Sequence, residues 1–400
     1  MSTQPVADGR RATRAPIQLT RPVSSRVVGI DVARCLALLG MMATHILPGV
    51  VDGEVALAQQ VAGGRASALF AVLAGVSLTL IAGRQMVRGR AWLAVLAGTA
   101  VRAALLALVG LLLGELESGI AVILVYYAVL FLVAVPFLAL STRALAVLAV
   151  GWIVLGPLLS QWARDRLPLT TYEVPSFDSF DRPVALVRDL LLTGYYPVAT
   201  WVPYLLVGIV VGRLDLRSTR VMGMLAAFGA VAALLALLVS DVLTGEPDVR
   251  AALIRTFTGA GWRGDLATTL ERGLYGVVPT DSGWWLAVRA PHSGTAFDLL
   301  MTIGSACLVL AGCLLLGRWA PRTCAVVFGA GAMTFTLYAV HVALRSEGVW
   351  DGDDVRTYVG QALLVLVIGA AFRWGGHRGP LEFFSGELSS GVRRAVAGRR

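Results

Sequence analysis

The sequence contains no lysine and no asparagine. Without lysine there can be no Schiff-base lysine and no phosphate-binding loop of the GxxxxGK[ST] type, which argues against a pump driven by ATP hydrolysis within this chain. Without asparagine there are no N-linked glycosylation acceptors. Charged residues make up only 15% of the 400 residues, against about 25% in a soluble globular chain, and hydrophobic residues make up 57%. This composition indicates an integral membrane protein.

Cysteine and histidine are also scarce, with four of each. The cysteines lie in or beside apolar runs and show no CxxC spacing, so they predict packing residues rather than a disulfide framework or a zinc site. They are Cys35, Cys307, Cys313 and Cys324. The histidines lack a carboxylate partner at ligand spacing, and no metal site is expected.

Ten apolar runs, each of about 18–25 residues, are long enough to cross the hydrocarbon core of a bilayer. They predict an all-α fold, a polytopic bundle of about ten transmembrane helices. The predicted spans are 27–51, 66–83, 92–114, 119–140, 144–160, 197–213, 221–242, 298–317, 323–344 and 356–374. The apolar stretch 183–192 is interrupted by Arg188 and Asp189 and is interpreted as interfacial or re-entrant.

Three parts of the chain are expected around this bundle. Residues 1–26 predict a disordered basic cytoplasmic tail, since no apolar core of a signal peptide precedes Val27. Residues 27–376 form the membrane domain, with long outer loops at about 161–196 and 243–297, and 377–400 form a basic cytoplasmic tail. The loops carry aromatic residues suited either to the membrane interface or to sugar stacking: Trp162, Tyr172, Trp262, Tyr275, Trp284 and Trp285.

The arginine distribution predicts the orientation. With the N-terminus inside, inner segments hold 20 of the 34 arginines, whereas they hold only five of the 25 acidic residues. The even number of predicted spans returns the C-terminus to the same side, so both termini are expected in the cytoplasm. The net charge of +9 therefore follows membrane orientation and does not indicate a nucleic-acid partner.

Three charged residues fall inside the cytoplasmic half of predicted spans, where ionisable groups are costly and suggest function. Asp31 and Arg34 lie on the first span and Arg102 on the third. One interpretation is an ion-pair cluster that locks these two helices together. The other is a surplus positive charge that receives a phosphorylated cytoplasmic substrate, because arginine suits phosphate through its bidentate fork. The two can both hold.

Two histidines fall near the outer ends of spans, His45 on the first and His341 on the ninth. Histidine is the commonest proton-transfer group near neutral pH, so the pair is a candidate catalytic acid–base site if the helices meet. Alternatively, each is a hydrogen-bonded packing residue. Aromatic residues at similar positions are candidates for lining an acceptor site or channel: Tyr126, Tyr127, Tyr196, Trp201, Tyr204 and Tyr338.

Several segments resemble one known family. The run from Arg26 through Asp31 and Arg34 to Met42 resembles the first helix of the heparan-α-glucosaminide N-acetyltransferase catalytic-domain family and its bacterial relatives. Residues 68–77 resemble its second helix, and 195–213 its middle portion. Residues 331–341 and 378–382 resemble a related bacterial membrane family of unassigned function. The resemblance extends over nearly all of residues 26–385.

This resemblance implies transfer of an acyl group, acetyl in characterised members, from cytoplasmic acyl-CoA to an acceptor across the membrane. In the heparan enzymes the key histidine lies in the loop before the second helix, whereas residues 46–67 here contain none. His45 occupies a position where relatives usually have asparagine, and Cys35 replaces the glycine after Arg34. Either His45 has taken over the acid–base role, or the chemistry differs, or it is lost.

The sequence thus predicts a membrane acyltransferase of a bacterial inner membrane, with acyl-CoA as co-substrate and no permanently bound cofactor. Arg34 and Arg102 would hold the phosphates of acyl-CoA, and His45, with His341, would activate a sugar, glycolipid or other envelope acceptor. The alternative is a transporter or flippase of a small anion or lipid, which the same charges would serve. Partners are the bilayer, acyl-CoA and the acceptor, and a homo-oligomer is possible.

Overall fold

The computed structural model describes residues 26–168, 172–259, 264–350 and 352–398, and the regular secondary structure in these ranges is almost entirely helical. The helices are α1 (Val28–Ile46), α2 (Leu57–Ala62), α3 (Arg65–Ala82), α4 (Gly89–Gly114), α5 (Leu124–Ala134), α6 (Thr142–Arg164), α7 (Pro183–Arg188), α8 (Val198–Arg213), α9 (Thr219–Gly245), α10 (Pro247–Gly259), α11 (Leu266–Arg272), α12 (Ala296–Trp319), α13 (Pro321–Val327), α14 (Thr334–Leu344), α15 (Val355–Trp374) and α16 (Pro380–Ala397). Within the described ranges, β structure is limited to a small antiparallel hairpin of β1 (Val50–Val51) and β2 (Glu54–Val55). The prediction of an all-α fold is confirmed.

Seven helical segments of the described chain are long and apolar enough to cross a membrane. They are α1, α2 with α3, α4, α6, α9, α12 and α15. An eighth crossing results if Pro183–Thr193 and α8, which meet at a bend of 52°, form one broken span. Two shorter apolar segments, Leu124–Ala139 and α14, accompany them. The chain is an integral membrane protein, while the count of ten spans and the cytoplasmic placement of both termini stay predictions.

Some predicted spans are shorter or broken in the structure. Predicted span 27–51 ends as a helix at Ile46, because the residue before Pro48 is pushed out of the helical region. Predicted span 119–140 is helical in α5 and then tightens into a 3-10 turn at Pro136–Ala139. Predicted span 323–344 is divided into α13 and α14 by a second 3-10 turn, Gly329–Ala332.

This second turn packs directly on α1. A Cβ atom on Gly331 would lie 1.7 Å from the backbone oxygen of Asp31, so only glycine lets the two backbones approach this closely. The turn therefore brings the beginning of α14 beside the Asp31 end of α1.

Helices α3 and α8 also meet backbone to backbone. A Cβ on Gly75 would lie 2.4 Å from the Leu205 oxygen, and one on Gly208 would lie 2.1 Å from the Val72 oxygen. Small residues at such positions let membrane helices pack closely. This contact holds α3, which forms one wall of the site described below.

Residues 243–297, predicted as a long outer loop, contain α10, α11 and a small hydrophobic core of their own. That core consists of Val249, Leu253, Phe257, Leu274, Val278, Trp285, Val288 and Ala290. Trp285 is fully buried and donates a hydrogen bond from Nε1 to Thr256 Oγ1 at 3.0 Å, which identifies it as a packing residue. Trp284 beside it is 46% exposed, and Trp262 lies outside the described residues.

The chain ends in α16, which packs along α4. The Ser389 hydroxyl donates to the Gly98 oxygen at 2.8 Å, and Arg90 Nε donates to the Val396 oxygen at 3.0 Å. The sequence analysis assigned residues 377–400 to a basic tail and predicted no helix there. The structure adds a helix that reaches the candidate site through its first turns.

Candidate functional site

The two predicted histidines, carried by α1 and α14, are in contact. Nδ1 of His45 lies 3.2 Å from Nε2 of His341, and the ring planes are inclined by only 7° with centroids 5.4 Å apart. Each histidine sits in the last turn of its helix. His341 is fully buried and His45 is partly buried.

A glutamine continues this contact. Nδ1 of His341 lies 2.9 Å from Oε1 of Gln361 on α15, and Nε2 of Gln361 donates to the Trp350 backbone oxygen at 3.1 Å. Gln361 is fully buried. The three side chains form one hydrogen-bonded line from α15 through α14 to α1.

At the other end of α1, Asp31 is held mainly by Arg26. The Arg26 guanidinium donates to both carboxylate oxygens, from Nε at 2.5 Å and from Nη2 at 2.9 Å. Arg34 Nη1 lies 3.7 Å from Asp31, and Nη2 of Arg34 donates to the hydroxyl of Ser77 on α3. Since Arg26 already neutralises Asp31, Arg34 adds positive charge that the carboxylate does not cancel.

Arg102 does not complete the predicted ion-pair cluster. It makes no ion pair within 4 Å with any described residue, and the charged groups that act on it are Arg34, Arg393 and Glu382. Asp31 therefore ties α1 to Arg26 rather than to α4.

Arg34 and Arg102 instead line one cavity of about 190 Å³ between α1, α3, α4, α5, α14 and α16. Glu382, Ser77 and Ser385 join the arginines at its polar end. The remaining lining is mostly apolar and includes Met41, Phe70, Leu73, Ala74, Leu106, Ile123, Leu124, Tyr127, Phe131, Phe335 and Tyr338. A cavity with a cationic end and an otherwise apolar lining suits a ligand that has phosphates at one end and an uncharged chain at the other.

The cavity ends one helical turn short of the histidines. Met41 lines it and lies four residues before His45, and Tyr338 lines it and lies three residues before His341. Such spacings place side chains on the same helix face. Neither histidine is part of the lining. From Arg34 to His45 is eleven residues, about 16 Å along the helix axis.

A wider basic depression adjoins the cavity. It encloses about 750 Å³ and shares Arg34 with the cavity, so the two are neighbours. Its lining includes Arg26, Arg84 and Arg217 against the carboxylates of Asp31 and Asp215. The excess of arginine over carboxylates in this depression favours an anionic ligand.

This arrangement can now be compared with known proteins. The family model described as heparan-alpha-glucosaminide N-acetyltransferase, catalytic, matches residues 26–242, which is more than half of the chain. The chain belongs to this family. No curated protein matches it in sequence.

The heparan-alpha-glucosaminide N-acetyltransferase match runs from Arg26, two residues before α1, into α9. It includes Asp31, Arg34 and Arg102 at the charged end of the site, and it includes His45. His341, Gln361 and Glu382 lie beyond it. The resemblance expected over residues 243–385 is therefore still a prediction, while membership of this transmembrane acetyltransferase-like family is established.

The predicted aromatic residues divide into two groups. Tyr127 and Tyr338 line the cavity; Tyr127 donates to the Ser67 oxygen at 3.3 Å, and Tyr338 accepts from the Ile123 N–H at 3.3 Å. The other four do not line it and form a buried chain of ring contacts: Tyr126, Tyr196, Trp201 and Tyr204. Their centroids are 5.0–5.5 Å apart, and this second group packs the bundle.

Sequence reasoning missed a third histidine, His292, in the segment before α12. Its ring stacks on Trp201 with centroids 6.3 Å apart and touches Tyr196 edge-on at 5.8 Å. Burial lowers the pKa of His292 to about 4, so the imidazole is neutral at physiological pH. His292 is among the titratable groups that act on His45. The only signal in the sequence that could have indicated His292 is the rarity of histidine, with four in the chain.

Sequence reasoning also missed Arg345, which follows His341 by one turn. Its guanidinium is 9% exposed, donates to the Gly352 oxygen at 2.9 Å and pairs with Asp353 at 2.6 Å. Its charge acts on both His45 and His341. The histidine end of the site thus contains one arginine, and its charge is paired with the Asp353 carboxylate.

The described residues contain no group of three or more His, Cys, Asp or Glu side chains arranged to hold a metal ion. All four cysteines are buried and free. The side chains at this site supply imidazole, guanidinium, hydroxyl, amide and carboxylate groups.

Proposed function

We propose that the protein transfers an acyl group, acetyl as the family name suggests, from cytoplasmic acyl-CoA to an extracytoplasmic acceptor. Family membership supports the reaction class. The observation that carries the proposal is the cavity with Arg34 and Arg102 at one end, which stops one turn from the contact between His45 and His341.

The donor would enter at the basic depression. Its diphosphate and terminal phosphate carry several negative charges, which suit the arginines of the depression and the pair Arg34 and Arg102. The uncharged pantetheine arm would lie along the apolar lining, with the thioester towards Met41 and Tyr338. Met41 is unbranched and flexible, so it can move aside to let the thioester reach His45.

At the histidines, the acceptor is a hydroxyl or amine. His45 would remove its proton while the acceptor oxygen or nitrogen attacks the thioester carbonyl carbon. The carbon–sulfur bond then breaks, and the proton held by His45 passes to the leaving sulfur, so that the products are the acylated acceptor and free CoA. A transient acyl-histidine is the variant of this scheme in which His45 attacks the carbonyl first.

The proposed direction of transfer depends on the orientation of the protein in the membrane. The arginine bias of the sequence predicts that the Arg34 end of α1 lies in the cytoplasm. The acceptor would then approach from the side of the β1–β2 hairpin and the 243–297 segment. We propose an envelope sugar, glycolipid or other lipid as its class, and a bacterial inner membrane as its location.

Inside-out membrane vesicles with labelled acetyl-CoA in the bath test this proposal. We expect label in lipid or glycan extracts that depends on the protein and falls about 100-fold or more in His45→Ala, as for loss of a general base. His377→Ala is the matched control, since His377 is exposed at the far end of α15. Label that crosses the membrane as intact acetyl-CoA, without a labelled product, would indicate a transporter instead.

A further inference from the structure

The hydrogen-bonded line from Trp350 to His45 has a direction that the side-chain chemistry fixes. A backbone carbonyl can only accept a hydrogen bond, so the Gln361 atom that lies 3.1 Å from the Trp350 oxygen must be the amide nitrogen. The Gln361 oxygen then faces Nδ1 of His341 at 2.9 Å. An amide oxygen can only accept, so the proton of this contact belongs to Nδ1 of His341.

The same logic carries over to His45. A neutral imidazole has one N–H and one lone pair, so His341 with its proton on Nδ1 has its lone pair on Nε2. Nε2 of His341 lies 3.2 Å from Nδ1 of His45, which must therefore donate. His45 then has its own lone pair on Nε2, and no described residue hydrogen-bonds to that nitrogen.

The neutral form is the appropriate one for this argument. The His341 ring is fully buried, and a charge there would need a compensating anion. The charged side chain that acts on both rings is Arg345, the residue after α14, and the neutral imidazole of His292 also acts on His45. Neither supplies a negative charge.

We infer that Gln361 is a positioning residue that holds both histidines in their Nδ1–H form, so that Nε2 of His45 is the nitrogen that accepts the acceptor's proton. The inference rests on the proposed function for the role of His45, but the arrangement of protons can be measured without any activity. Gln361 touches neither donor nor acceptor and acts through His341. It lies outside the part of the chain that matches the family.

Nitrogen-15 NMR of histidine-labelled protein in lipid bilayers measures this arrangement directly, because a ring nitrogen with a proton resonates apart from one with a lone pair. The chain has only four histidines, so single His→Gln variants assign every signal. We expect His45 and His341 both to carry the proton on Nδ1 near neutral pH. A wild-type His341 with its proton on Nε2, or a His45 with its proton on Nε2, overturns the inference.

Two variants separate positioning from packing. Gln361→Leu removes the acceptor, and we expect His341 to lose its fixed Nδ1–H form. Gln361→Glu retains an oxygen acceptor for Nδ1, and we expect the Nδ1–H form to persist. Gln161→Leu is the matched control, because Gln161 also donates to backbone oxygens, those of Pro279 and Ser282, away from the histidines. Unchanged histidine signals in Gln361→Leu contradict the inference, and if that variant fails to fold, the wild-type spectrum still decides.

Activity gives the second readout. Partners that orient metal-bound histidines are worth about 10–100-fold, and we expect a similar fall of acetyl transfer in Gln361→Leu and a partial recovery in Gln361→Glu. A wild-type protein with the expected proton positions but no acetyl transfer would refute the proposed function alone. A protein that transfers acetyl groups with the opposite proton positions would refute this inference alone.

Discussion

Glu382, at the beginning of the last helix, caps the helix that carries His341. Its Oε1 accepts from the backbone N–H of Phe335 at 2.7 Å and of Thr336 at 3.2 Å, and its Oε2 accepts from the Thr336 hydroxyl at 2.6 Å. The first N–H groups of a helix have no partner within the helix, and a negative charge beside them is favourable. The end of the chain thus fixes where α14 begins, and with it Tyr338 and His341.

Removing this cap should destabilise the protein. We expect Glu382→Ala to lower the free energy of unfolding by about 1–3 kcal/mol, because three charge-assisted hydrogen bonds are lost in a partly buried place. Thermal unfolding in detergent measures it. Glu387→Ala is the control: Glu387 is exposed and only 3.9 Å from exposed Arg378, so its loss should change stability by less than about 0.5 kcal/mol. If Glu382→Ala lowered the free energy of unfolding as little as Glu387→Ala does, the cap would not stabilise the protein.

Arg102 should contribute to donor binding rather than to folding. It lines the cavity and forms no ion pair with the described residues, so its charge is available to a ligand. We expect Arg102→Gln to weaken acyl-CoA binding about 10-fold or more, the value of one charge-assisted hydrogen bond, with little change in unfolding temperature. Binding isotherms at low and high salt measure this.

The matched control for that measurement is Arg143→Gln, since Arg143 is exposed near the beginning of α6. We expect it to leave affinity unchanged. If Arg102→Gln binds acyl-CoA as the wild type does, the phosphates lie elsewhere, and the basic depression with Arg84 becomes the next place to test.

The turn between α13 and α14 should not accept a side chain. Alanine at position 331 would put its Cβ 1.7 Å from the Asp31 oxygen, so one backbone must move. Overpacking of this kind costs about 1–3 kcal/mol or more. Gly312→Ala on α12 is the control, because nothing lies within 4 Å of its Cβ position. Chemical unfolding of both variants tests the close approach, and a Gly331→Ala protein as stable as Gly312→Ala would contradict it.

His292 should make stability depend on pH. Its pKa is lowered by burial from the ordinary 6.5 to about 4, so between these values the unfolded chain binds the proton and the folded protein does not. Stability therefore rises with pH through this window and is lost as the pH falls from about 6.5 to 4, by up to about 3 kcal/mol.

Unfolding temperatures of wild type and His292→Gln between pH 4 and 7 measure this dependence. We expect the variant to show a flatter curve, because it has no group to protonate at this position. His377→Gln, which alters an exposed histidine, should keep the slope of the wild type. A variant curve parallel to the wild type would assign the pH dependence to another group.

The sequence predicted those parts of the molecule that depend on composition and on residues along one helix. The apolar runs predicted the helices, and α1 alone placed Asp31 and Arg34 at one end and His45 at the other. The contact of His45 with His341 was only a possibility, because nothing local shows which helices meet. The break at Gly329–Ala332 could not be predicted, because it depends on the close approach of Gly331 to the backbone of α1.

Partners that arrive from distant parts of the chain could not be predicted. Arg26 was assigned to a tail, although it holds Asp31, because its position five residues away and outside the helix follows no helical spacing. The contact of Gln361 with His341 could not be predicted, because a single amide in an apolar span follows no pattern that indicates its partner. Glu382 was noted only as part of a resemblance, and its contact with α14 depends on a helix that the sequence analysis did not predict.

The backbone contact at Gly75 and Gly208 has a mechanical consequence. Because the two backbones touch at these glycines, sliding or separation of either helix breaks the contact, and we expect α3 and α8 to move together. Because α3 forms one wall of the cavity, we expect a bulky ligand to widen the cavity by displacing α4 and α16, which pack on each other. The helices α3 and α8 would then stay in place while the opposite wall of the cavity moves.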